Sequence, residues 1–432
     1  MSRAFERYLN YFLAEAKNRV DDWQWFHVQW PQIAHAWTLT PRYPIDPRIL
    51  MQCIQTFYPF QDQRGLWVDS VSWLQRGLTL VNTKENEQLT SLLLSQLGKS
   101  YRHLGELKQA ATCHTQALTI RQALNDVQGE ANSLNELGLV YNSLREYQQA
   151  IQCFEAALRL SPHAQTQIIL GNLGSVYADM GDFPTAASTY EKALQIAQER
   201  KDPDGTSALS GNLATIFAVM GQLQKAIAMH QQRLQITQAN GDLLGEMHTL
   251  INLGTAYHRI DALQTAVQYY EMALDLARTT NHRLDELTCL ANLGLAHIHL
   301  GKYEQAIRYQ KQALTLARKI GDRQKEGSIL NKLGNAHRNL GQFDQAKEFY
   351  NQSLQAARVV GDRHGEANAL GNLGIVAHRL ENYEKAIEYY KAQLQITQSI
   401  QDKRGEENAL GNLALTYTEL GSYEDALPLY QQ

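Results

Sequence analysis

A leucine followed by glycine or alanine returns along this chain with a fixed step. It stands at Leu97, Leu137, Leu173, Leu213, Leu253, Leu293, Leu333, Leu373 and Leu413, 40 residues apart at every step except the 36 between Leu137 and Leu173. A period of this length marks stacked supersecondary units, each burying its apolar face only against its neighbours. The interior of the unit repeats too. Four residues after the leucine comes a ring at Tyr101, Tyr141, Tyr177, Phe217, Tyr257 and Tyr417, with His297, His337 and Ala377 in its place in three units. Eight residues after the leucine comes Gly105, Gly181, Gly221, Gly301, Gly341 or Gly421, and a small residue such as Ala110, Ala226 or Ala346 follows five later. Ala-Leu pairs such as Ala117-Leu118, Ala273-Leu274 and Ala313-Leu314 close the unit.

The spacings are helical. Leucine, glycine and ring at i, i+1 and i+4 share one side of a first helix, A. The following glycine takes the left-handed conformation that ends it. The alanines of a second helix, B, fall seven apart and let two helices approach closely. Asp126, Asp202, Asp242, Asp322, Asp362 and Asp402, eleven residues before the leucines, are helix N-caps. Glu130, Glu246, Glu326, Glu366 and Glu406 follow four residues later, where an acid suits the helix dipole. The fold expected is all-α.

This order of Leu-Gly, ring, glycine, alanine, ring and alanine resembles the tetratricopeptide repeat. The usual period of that family is 34, and the extra residues here fall after the closing Ala-Leu, where they lengthen B and the next A. The 40-residue form, with stretches such as His230-Gln231-Gln232-Arg233-Leu234 and Gly371-Asn372-Leu373-Gly374, is similar to the arrays of Pins-type spindle-orientation adaptors and of bacterial signalling proteins. The resemblance implies a right-handed superhelical solenoid of helix-turn-helix units, with nine repeats over 86–432, the last one incomplete.

The first 85 residues hold all six tryptophans, Trp23, Trp25, Trp30, Trp37, Trp67 and Trp73. The frame still extends into them, since Phe57 and Gly65 lie forty before Leu97 and Gly105. Residues 47–85 therefore read as a degenerate first repeat, and residues 1–46 as a Trp-rich helical cap with helices near 3–19 and 24–38 that seals the end of the stack. Tyr11-Phe12-Leu13-Ala14, Arg64-Gly65 and Trp73-Leu74-Gln75-Arg76-Gly77-Leu78 resemble the entry to the sensor arm of STAND-type signalling NTPases. Gly98-Lys99-Ser100 is no phosphate loop, because the glycine such a loop needs five positions earlier is Leu93. The sequence stops at Gln432, where the closing Ala-Leu would begin, and the unfinished unit offers an edge for self-association.

The resemblance places helix A on the concave side of the solenoid. The residue before the repeated leucine is Asn172, Asn212, Asn252, Asn292, Asn372 and Asn412, with Gln96, Glu136 and Lys332 in the other units. Asparagine is a mediocre helix former, so its recurrence favours a ligand over a merely solvated face. Its amide both donates and accepts, and a ladder of amides suits the backbone of an extended peptide. Arg259, Arg338, Arg379, His258, His299 and His378 lie further along that face, with Asn331 and Asn335 nearby, while Asp179 and Glu419 stand toward the ends. A basic centre of this kind fits a peptide with acidic residues; the rival reading is that these arginines pair with neighbouring acids of the chain itself.

The histidines form no HExxH helix, no Gly-x-Ser-x-Gly elbow occurs, and Cys53, Cys113, Cys153 and Cys289 form no CxxC pair. No catalytic residue, metal site or cofactor is expected. A net charge of −4 argues against nucleic acid and membrane surfaces. No apolar run is long enough to span a bilayer, and the N-terminus lacks a secretory signal, so the expected location is cytoplasmic. The function expected is a non-catalytic protein–protein interaction scaffold that binds a peptide or partner protein in the groove. The alternative is a ligand-sensing arm of a STAND-type signalling system.

Overall fold

The computed structural model describes residues 2–19, 22–42, 46–81, 86–161 and 163–431. Residues 43–45 and 82–85, at the ends of the first two expected segments, and Gln432 lie outside them.

The expected caps start the helices. Asp126, Asp202, Asp242, Asp322, Asp362 and Asp402 each accept from the N–H three residues on, at 2.9–3.0 Å. The left-handed residue that ends helix A is glycine in six repeats. It is Arg145, Asp261 and Glu381 in the other three, at φ of 62°, 61° and 57°.

Among the described residues, four helices precede the array: α1 Ser2–Lys17, α2 Trp23–Leu39, α3 Pro47–Gln63 and α4 Trp67–Leu80. Helices A and B then alternate: α5 Glu87–His103, α6 Leu107–Ala123, α7 Val127–Ser143, α8 Tyr147–Leu160, α9 His163–Asp179, α10 Phe183–Glu199 and α11 Pro203–Val219. They continue as α12 Leu223–Asn240, α13 Leu243–Arg259, α14 Leu263–Thr279, α15 Arg283–His299, α16 Tyr303–Ile320 and α17 Arg323–Asn339. The last are α18 Phe343–Val360, α19 Arg363–Arg379, α20 Tyr383–Ser399, α21 Lys403–Glu419 and α22 Tyr423–Gln431. The single 36-residue step has a visible cause, because α8 has 14 residues where α6 and α10 have 17. A short 3-10 turn, Thr40–Arg42, extends α2, which the sequence reading did not foresee. The fold is an all-α repeat solenoid.

The chain forms two compact units, Met1–Leu209 and Ser210–Gln432. In the first, Phe26, Trp37, Phe57, Phe60 and Trp73 are buried in one core with Leu93 and Leu97 of α5. Trp37 stacks on Trp73 with centroids 4.1 Å apart, and Trp30 also stacks on Trp73, at 5.6 Å. These rings fill the space beneath the first repeat. In the second unit, Tyr270, Tyr350 and Tyr390 are fully buried, each beneath the glycine of a Leu-Gly pair. His297 and His337, at the ring position of their repeats, lie against Tyr309 and Phe349 with centroids 5.2 and 5.1 Å apart. On α22, Tyr423, Leu427 and Tyr430 are exposed, although Tyr390, the counterpart of Tyr430, is buried.

The helix-start glutamates do more than face a dipole. Glu326 is held between Arg318 of the preceding B helix at 2.7 Å and Arg323 of its own first turn at 2.7 Å. Glu366 repeats this with Arg358 at 2.8 Å and Arg363 at 2.6 Å, and Glu286 with Arg278 and Arg283. Elsewhere a glutamine takes the place of the first arginine, as Gln238 does toward Glu246 at 2.8 Å. Each staple ties one B helix to the next A helix.

Candidate functional site

The A helices α19 and α21 present asparagine at equivalent places, Asn368 and Asn372 matching Asn408 and Asn412, while α17 presents Asn331 and Asn335 at other places of the same helix surface. Their asparagines line an open groove of about 930 Å³ in the second unit. Asn331 and Asn335 come from α17, Asn368 and Asn372 from α19, and Asn408 and Asn412 from α21. Neighbouring amides are already in register, with Asn372 Nδ2 donating to Asn331 Oδ1 at 2.8 Å. Asn335 Oδ1 accepts from the buried Tyr350 hydroxyl at 2.7 Å, which fixes it from below. The groove also contains Arg323, Lys332, Asp362 and His364. Arg323 is engaged by Glu326, and Asp362 caps α19. Burial holds the Lys332 ammonium below the ordinary lysine pKa.

The other expected residues are placed as follows. Asn292 borders a smaller hollow of about 170 Å³ with Lys332 and Ser328, so Lys332 faces both hollows. Asn252 is half-buried and Asn212 exposed. His258 Nε2 lies 2.7 Å from His299 Nδ1. Burial lowers the pKa of His258, and the charges of His299 and Lys332 lower it further against the opposing pull of Asp261. Arg259 donates to the Ala218 carbonyl at 2.9 Å, and Arg338 reaches Asn372 Oδ1 at 3.4 Å. His378 sits 3.1 Å from Glu419, and Arg379 is exposed. Two of the arginines thus contact neutral groups of the protein itself, and none of the three lines the main groove.

In the first unit Asn172 donates to Asn135 at 2.9 Å. The preceding rungs are charged: Lys99 pairs with Asp62 at 2.5 Å and Arg102 with Glu136 at 3.8 Å. Burial raises the pKa of Glu136, against the pull of Arg102 and Lys99. This stretch is cross-linked by its own ion pairs where the second unit leaves amides.

Sequence reading did not single out Asn368, Asn408, Gly371 or Gln393 as groove residues. Asn368 and Asn408 had a signal, since each lies four residues before an asparagine of the ladder and therefore on the same helix face.

The tetratricopeptide repeat family model matches residues 88–163, 165–239, 206–279, 245–319, 283–359, 325–399 and 365–432. The chain belongs to the tetratricopeptide repeat family. No curated protein matches it. Among solved structures, this tetratricopeptide array is similar to the apo form of RapI, at 14% identity and a TM-score of 0.64, covering 82% of this chain and 99% of that one. The apo quorum sensor NprR from B. thuringiensis shares 16% identity at a TM-score of 0.55, covering 76% and 96%. A STAND protein with a tetratricopeptide repeat sensor from Pyrococcus horikoshii shares 16% identity at a TM-score of 0.53, covering 89% of this chain and 65% of that one. At these identities the likeness is one of fold. Among the described residues, no group of three or more His, Cys, Asp or Glu side chains is placed to hold a metal ion. No helix among them is long and apolar enough to cross a membrane.

Proposed function

We propose that this tetratricopeptide protein is a non-catalytic interaction scaffold that holds an extended segment of a partner protein in the groove of its second unit. The observation that carries the reading is the wall of six asparagines, two on each of three successive A helices, along an open groove of about 930 Å³. A peptide backbone presents alternating donors and acceptors, and a carboxamide answers either. Family membership supports an interaction or sensing role. Lys332 is a half-buried cation in the groove lining, so an acidic residue of the segment fits beside it.

The test is selection from a displayed random-peptide library. The intact chain retains peptides, and the Asn331→Ala/Asn372→Ala/Asn412→Ala variant, folded by its melting curve, loses them. Equal retention by both overturns the reading.

A second reading is a ligand-sensing arm attached to a signalling module. What supports it is the likeness in fold to the STAND protein with a tetratricopeptide repeat sensor and to the quorum sensor NprR. Small-angle scattering with and without a selected peptide separates the two: a sensor arm changes its radius of gyration on binding, and a rigid scaffold does not.

A further inference from the structure

The floor of the groove carries a side chain that the repeat pattern does not supply. Twenty residues after the repeated leucine, most units have alanine: Ala117, Ala157, Ala193, Ala273 and Ala313, all fully buried. On α20 this place is taken by Gln393. Gln393 is only 7% exposed, yet it lines the groove, and its Oε1 is buried without a hydrogen-bond partner among the described residues. It reaches the groove from a B helix because α19 has Gly371 in its path. A β-carbon built at Gly371 would lie 2.8 Å from both Nε2 and Oε1 of Gln393. The same construction occurs earlier in this unit, where Arg233, also at the alanine place, passes Gly211. A β-carbon there would be 2.4 Å from Arg233 Nη1.

We infer that Gln393, reaching through the gap at Gly371, is a specificity subsite for an uncharged hydrogen-bonding side chain, amide or hydroxyl, of the bound segment. The inference rests on the groove reading above and deepens it. A nearly buried carboxamide left unpaired is unfavourable, and an apolar side chain seated on it would keep it so. The groove lining contributed by α19, α20 and α21 beyond His364 is uncharged: Asn368, Asn372, Ile375, Gln393, Asn408 and Asn412. A charged side chain seated on Gln393 would meet no counter-charge among these lining residues. A carboxamide presents a donor or an acceptor according to which way it is turned, and so matches amides and hydroxyls alike.

The experiment is a deep-sequenced selection of displayed random heptapeptides on the intact chain and on Gln393→Ala, Gly371→Ala and Gln393→Glu. Gln393→Ala restores the residue that most other units carry, and Gly371→Ala displaces the end of a flexible side chain, so both keep the fold. The parent chain enriches Asn, Gln, Ser and Thr several-fold at one peptide position. The two alanine variants lose that enrichment and keep the rest of the profile. Gln393→Glu shifts the same position toward Lys and Arg, which a purely structural role would not do. An unchanged profile in all three variants overturns this inference alone. A parent chain that selects no peptide overturns the groove reading and this inference with it.

Discussion

Gly334 of helix α17 lies directly against the ring of Tyr350 on α18: a β-carbon at Gly334 would sit 2.4 Å from Tyr350 Cε1. Tyr350 is fully buried, and its hydroxyl donates to Asn335 in the groove, so one ring both packs the repeat and fixes a groove amide. The pairing recurs as Gly254 with Tyr270 and Gly374 with Tyr390.

Gly334→Ala therefore overpacks the repeat. The gain in helix propensity of about 1 kcal/mol is outweighed by strain of roughly 1–3 kcal/mol, as the ring has nowhere to move. Gly327→Ala is the control. Its nearest neighbour would be 3.5 Å away, so it is neutral or stabilising by up to about 1 kcal/mol. Urea unfolding of the two variants side by side checks the opposite signs.

Glu381 occupies the left-handed position that glycine holds in six other repeats, at φ 57°. Glu381→Gly relieves that conformation and is expected to stabilise by roughly 0.5–1 kcal/mol, less the entropy glycine adds to the unfolded chain. A rise in Tm measures it, and a fall contradicts the strain argument.

Glu326 links charge to repeat stacking. Burial alone would raise its pKa, but hydrogen bonds from Arg318 and Arg323, with their charges, outweigh burial and hold it below the ordinary carboxylate value. The stability from this staple is present at neutral pH and is lost as pH falls through that depressed value. Glu326→Gln costs about 1–2 kcal/mol at pH 7, because the arginines are half exposed and their pairing is partly screened. The cost fades once pH falls below that depressed value, and melting curves at neutral and acid pH test it.

His114 is fully buried, and neither ring nitrogen has a hydrogen-bond partner among the described residues. Burial, with the nearby charges of Arg102 and Arg121, pushes its pKa down from 6.5 to about 4. A neutral buried imidazole resists protonation that the unfolded chain accepts. Stability is thus full above about pH 6.5 and declines as pH falls toward 4, by up to about 3 kcal/mol. His114→Phe, the residue at the equivalent place in the next repeat (Phe154), removes that part of the acid sensitivity. An unaltered acid profile contradicts the assignment.

The fold was legible in the sequence because a solenoid writes one unit many times, and helix-end glycines, caps and small residues each hold a fixed place. Asn372 and Asn412 were legible for the same reason, because they hold a repeated place, whereas Asn331 and Asn335 were readable only as neighbours on the α17 surface. Arg259 and Arg338 were not so readable, since a long flexible side chain on that face reaches a carbonyl or an amide of its own protein. The Glu326 staple carried a signal in the arginine eight residues before it, which becomes meaningful only once the turn brings the two helices together. Gln393 sits on a B helix, so helical spacing assigns it to the interior. Only the missing side chain at Gly371 opens it to the groove.

The asparagine wall is the proposed seat of the ligand. A photo-crosslinking amino acid placed at Ser328, inside the groove, or at Glu388, exposed on α20, tests it directly with one library-selected peptide. The expected result is capture of the peptide from position 328 and not from position 388, with competition by unlabelled peptide. Capture from position 388 with none from position 328 would contradict it.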